Sequence, residues 1–165
     1  MFVRATQGVP VGYEVATRRL TCLAAGGGLE RLSDDAYSTV LSELITRVRP
    51  DGGLPAQSRQ VQVGVLEPRE VGGGTRLALR WWTTSLGGRL FPALDADLDL
   101  CRVARDTSAL RITARYEPPI GCHGQKIDRW ALYGAANSTV RHLLRHLAET
   151  LAEPVEVEPS RRGAP

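Results

Sequence analysis

Hydrophobic and polar positions in this 165-residue chain follow two periods, and the change from one to the other lies near residue 60. Before it, apolar residues recur every three to four positions, as on one face of an α-helix; after it they alternate, as in a strand with one buried face. Residues 2–7 predict a short first strand. Val11, Val15, Leu20 and Leu23 predict a short helix over 11–24, broken by Gly26-Gly27-Gly28 because glycine loses the most backbone freedom in a helix. Ser33-Asp34-Asp35 offers oxygens to cap a second helix and negative charge for the positive end of its dipole. Tyr37, Val40, Leu41, Leu44, Ile45 and Val48 then line about three turns, ended by Pro50-Asp51-Gly52-Gly53.

The second half predicts a meander. Val61, Val63 and Val65 alternate with Gln60, Gln62 and Gly64, and Gly72-Gly73-Gly74 supplies a hairpin turn into residues 75–84, where Leu77, Leu79 and Trp81 share a face. After Gly87-Gly88, Leu94, Ala96, Leu98 and Leu100 oppose Asp95, Asp97 and Asp99 across a third strand. Arg105-Asp106-Thr107 turns into a fourth, 108–117, with Leu110, Ile112, Ala114 and Tyr116 on one side, stopped by Pro118-Pro119. A helix over 125–151 collects Trp130, Tyr133, Ala136, Val140, Leu143, Leu144, Leu147 and Leu151 on one side, so it is the long element available to cover the apolar face of the sheet. The expectation is an α+β fold in which a curved antiparallel sheet grips a long carboxyl-terminal helix, with two short amino-terminal helices. One domain over 1–152 and a disordered, proline-containing tail over 153–165 complete it.

Composition narrows the function. A chain with 42% apolar and 24% charged residues suits one ordinary core. No run approaches the roughly 20 apolar residues of a membrane span, and residues 1–10 lack the basic and long apolar regions of a secretory signal, so a cytoplasmic protein without integral membrane association is expected. Cys22, Cys101 and Cys122 lack zinc-type spacing and read as free thiols; Cys122-His123 has no further ligand or base singled out beside it, so neither metal nor cofactor is expected. A net charge of +3 is too small to imply nucleic acid, and the arginines stand opposite acidic residues. Asp95, Asp97 and Asp99 could form a carboxylate site, but Arg76, Arg80, Arg111 and Arg115 on neighbouring strands predict cross-strand ion pairs instead. His142 and His146 are one turn apart without the glutamate of a zinc protease and read as a solvated face. The uninterrupted glycine runs lack the spacing of a phosphate or dinucleotide loop.

The element order, the stretch Leu79-Arg80-Trp81 through Gly87-Gly88-Arg89-Leu90-Phe91-Pro92-Ala93-Leu94-Asp95-Ala96-Asp97-Leu98, and Tyr116-Glu117-Pro118-Pro119-Ile120-Gly121 followed by Asp128-Arg129 together resemble the START-like superfamily of polyketide cyclases, dehydrases and lipid-transport proteins, over residues 2–152. The resemblance implies the helix-grip fold and an apolar cavity between sheet and long helix for a lipid, polyketide or similar molecule. The alternation of this sequence nominates Leu79, Trp81, Leu98, Ile112 and Tyr116 as lining from the sheet. Tyr133, Asn137, Val140 and Leu144 are the candidates from the helix, and all nine also suit a filled core. An amide such as Asn137 on an apolar face needs a partner or a ligand, because leaving it without one costs roughly 1 to 3 kcal/mol. Three functions remain open. A carrier would hold the hydrophobic molecule unchanged; a polyketide cyclase would use Tyr116, Tyr133 or Asn137 to polarise a carbonyl; a filled scaffold would bind a protein partner. No catalytic residue is singled out, and oligomeric state is not legible.

Overall fold

The first strand of the chain pairs with its last. In the computed structural model, which describes residues 2–48, 61–83, 93–117 and 129–153, β1 (Phe2–Val9) is followed by α1 (Tyr13–Ala25) and α2 (Gly28–Val48). Strands β2 (Val61–Val65), β3 (Arg69–Val71), β4 (Gly74–Thr83), β5 (Ala93–Ala104) and β6 (Thr107–Glu117) come next, and α3 (Arg129–Ala152) closes the fold. The six strands form one antiparallel sheet in the order β1-β6-β5-β4-β2, with β3 also on β4. The meander matches the alternation in the sequence, with β3 as an addition. Pro68, which has no N–H to donate, lies between β2 and β3, and both flanking segments pair with β4. Val71 pairs with Gly74 across Gly72 and Gly73, whose φ values of 59° and 78° suit the left-handed residues of a two-residue hairpin turn.

The inner face of the sheet is largely apolar, with Thr75 and Ser108 as buried polar exceptions. Leu77, Leu98, Ile112 and Ala5 stand in register, as do Leu79, Ala96, Ala114 and Val3. All but the half-buried Ala5 are buried. At about 25 cal/mol per Å² of apolar surface, burying side chains of this kind is the main favourable contribution to the fold.

Two helices cover this face, where the sequence suggested one. Helix α3 packs on β1 and β6, and α2 packs on α3 and β2. Helix α2 is also not short: it runs 21 residues and begins at Gly28, five positions before the expected cap at Ser33. The glycine run is a local break, because Gly27 alone takes the left-handed conformation, at φ 69°, that lets α2 start at once. Ser33 consequently lies inside the helix, buried, with a hydroxyl that has no hydrogen-bond partner among the described residues. Helix α1 is tied in at both ends of the molecule's core: Arg19 donates to the Leu151 carbonyl, satisfying one of the last carbonyls of α3, and Ser108 Oγ donates to the Val11 carbonyl at 3.0 Å. No helix among the described residues is long and apolar enough to cross a membrane. The expected stops at Pro50-Asp51-Gly52-Gly53 and Pro118-Pro119, the Gly87-Gly88 turn, Cys122-His123 and the tail after Glu153 lie outside the described residues.

Candidate functional site

The alternation in β4, β5 and β6 brings the expected sheet residues together on the inner face. Trp81 pairs with Leu94 and Leu94 with Tyr116, so Trp81 and Tyr116 belong to one row across the sheet. Leu98 and Ile112 are directly paired four residues further along. The row between these two contains Ala96 opposite Ala114, small side chains flanked on both sides by large ones. Leu79 and Trp81 are 2% and 1% exposed, and Leu98 and Ile112 are fully buried. The side chain of Tyr116 is outside the described residues.

On α3, Val140 and Leu144 are buried, and Tyr133 is half-buried and packed against the core. Asn137 is half-buried and has a partner on its own helix: its Oδ1 accepts a long hydrogen bond, 3.4 Å, from Arg141 Nε one turn on. An inner-face polar group without a partner is found on the sheet instead. The indole Nε1 of Trp81 is buried and makes no hydrogen bond among the described residues. An N–H in that state forfeits roughly 1 to 3 kcal/mol compared with a satisfied one. The period of β4 marks Trp81 as an inner-face residue, but nothing in the sequence signals that its N–H is left over.

Two depressions lie outside this interior. One, of about 420 Å³, runs between the edge strand β1 and α3 and is lined by Ala5, Thr6 and Gln7 on one side and Ser138, Arg141, His142, Leu144 and Arg145 on the other. Sequence reasoning passed over it, since His142 and Arg145 read as a solvated face until β1 is placed beside them. The other, of about 610 Å³, lies on the outer face of the sheet, with Ala78 and Thr113 among its lining and the exposed Phe2 and Leu66 also contributing. Two of the expected cross-strand ion pairs form on that face, both from β4: Arg76 donates to Asp99 at 2.6 and 3.1 Å, and Arg80 Nε lies 2.9 Å from Asp95 Oδ1.

No protein-family model matches the chain, and no curated protein does. Solved structures do. A conserved protein from Geobacillus kaustophilus superposes with a TM-score of 0.52 at 13% identity, over 92% of this chain and 95% of that one. An aromatase/cyclase from Streptomyces gives 0.47 at 10% identity, over 92% and 93% of the two chains. A START superfamily protein from Mycobacterium smegmatis gives 0.39 at 12% identity, over 92% and 94%. At these identities the likeness is one of fold and carries no substrate or reaction with it. With an antiparallel sheet entered from its first strand, two helices after that strand and a long closing helix packed on the sheet, the chain has a helix-grip fold.

Proposed function

We propose that this chain is a cytoplasmic carrier that binds a hydrophobic small molecule between the inner face of the sheet and α3, without transforming it. The observation that carries the reading is the buried indole N–H of Trp81, which has no acceptor among the described residues. A bound molecule with an apolar body and one carbonyl, hydroxyl or ether oxygen would supply that acceptor. Ala96 and Ala114, side by side among larger residues, support the same reading because they withhold side-chain volume from the middle of the face. The lining would be Leu79, Trp81, Leu98, Ile112 and Tyr116 from the sheet, closed by Tyr133, Asn137, Val140 and Leu144 from α3. Cys22 and Cys101 are free thiols, which suits a reducing compartment.

Native mass spectrometry of the freshly purified protein, compared with the denatured chain, tests the reading without a guess about the ligand. The expected result is an added mass that is lost on denaturation, or that is acquired from a panel of lipids and polyketides. Trp81→Phe should weaken an oxygen-bearing ligand about five- to tenfold, the equivalent of one ordinary hydrogen bond, and leave a plain hydrocarbon unaffected. A bare mass after incubation with the whole panel would reject the carrier and favour a filled scaffold.

A further inference from the structure

The groove between β1 and α3 is rich in hydrogen-bond donors and lacks compensating charge. Arg141 and Arg145 both line it, and no carboxylate does among the described residues. Elsewhere Arg76, Arg80 and Arg102 are each paired with an Asp or Glu, but among the described residues neither Arg141 nor Arg145 has such a partner. Among the described residues Arg141 donates to the neutral Asn137 amide, and Arg145 Nη2 contacts His142 Nδ1 at 3.1 Å. Because a guanidinium can only donate, His142 Nδ1 is the acceptor there, and the imidazole keeps its remaining N–H, on Nε2, for another partner. Two guanidiniums and an imidazole N–H, with Ser138 and Gln7 beside them, present donors suited to an oxyanion.

Leu144 borders both this groove and the interior. It lines the groove, yet it is 2% exposed and lies on the helix face that packs toward the sheet. We infer that the groove holds an oxyanion group, phosphate or carboxylate, carried by the molecule whose apolar body occupies the interior, so that the ligand class is an acidic amphiphile. This inference rests on the proposed carrier function for the apolar body and on the groove alone for the acid.

Titration calorimetry with dodecanoate, dodecyl phosphate, dodecan-1-ol and inorganic phosphate separates the two parts. The wild-type chain should bind both acids at least about tenfold more tightly than the alcohol, the gain expected from charge-assisted hydrogen bonds. In the Arg141→Gln/Arg145→Gln double variant the acids should fall to the affinity of the alcohol, and the alcohol itself should be unchanged. Arg18→Gln/Arg31→Gln removes the same charge from exposed positions outside the groove and should preserve the preference. Equal binding of acid and alcohol by the wild type would overturn the oxyanion site and leave the carrier standing. Loss of the preference in the control variant would also overturn it, by reducing the effect to overall charge. Binding of inorganic phosphate alone, abolished by the groove variant, would keep the oxyanion site but assign it to a free ion and reject the acidic amphiphile. Failure of every probe to bind would overturn the site and the ligand class together.

Discussion

The hydroxyl of Tyr13 and Oγ1 of Thr75 share a hydrogen bond of 2.9 Å between residues 62 positions apart, and it fastens the first turn of α1 to the start of β4. Both residues are buried, and the Arg102 guanidinium lies over the Tyr13 ring, 4.8 Å from its centroid. Tyr13→Phe leaves the Thr75 hydroxyl buried with no partner, and should cost about 1 to 3 kcal/mol in urea unfolding. Thr75→Val should cost a similar amount. The double variant should lose less than the sum, and strict additivity would show that the bond adds no coupling.

Close backbone approach explains two of the glycines. A Cβ at Gly12 would stand 2.6 Å from the Arg105 carbonyl oxygen, and one at Gly74 would stand 2.7 Å from that of Leu100. Gly12→Ala and Gly74→Ala should each lower stability by about 1 to 3 kcal/mol, because backbone has to move. Gly8→Ala meets nothing within 4 Å, and a thermal melt should show it within about 0.5 kcal/mol of wild type. Equal effects at all three positions would contradict the packing described.

The carboxyl of Asp34 has its pKa raised above the ordinary 3.8, first because partial burial disfavours its charge and then because Asp35 is close. A raised acid binds its proton more tightly in the folded chain, so its contribution is most favourable below 3.8 and is lost as pH rises through the higher folded value. Asp34→Asn should therefore raise the melting temperature at neutral pH, and the advantage should vanish in acid below 3.8. A benefit that persists unchanged in acid would trace to something other than the charge.

Trp81 separates volume from hydrogen bonding. Trp81→Ala should destabilise the chain by about 3 to 5 kcal/mol in denaturant unfolding, through the cavity it opens. Trp81→Phe should cost clearly less, since the smaller ring leaves no unpartnered N–H behind. If Phe and Ala proved equally costly, the indole N–H would have a partner in the folded protein.

Much of this arrangement was legible in the sequence where the period is local. Strand β5 could be read from Leu94 to Leu100 because each residue declares its own face, and the arginines of β4 placed its ion pairs. Helix α2 was misjudged because three consecutive glycines look like a loop, whereas a single left-handed residue, Gly27, is enough to redirect the backbone. The inner-face rows followed from alternation, but the unpartnered Trp81 N–H depends on what surrounds it in three dimensions. The groove depends on β1 lying beside α3, a contact between residues more than 130 positions apart that no local pattern encodes.

The pairing of β1 with β6 also orders events in time. Phe2 meets Arg115 and Val9 meets Ser108, so among the described strands β1 has its neighbour in the last residues of the meander. During translation, at about 5 to 20 residues per second, β1 leaves the ribosome many seconds before that neighbour exists. The nascent chain therefore carries an amphipathic strand with both edges open until the sheet is nearly complete, and its closure is a late, long-range event.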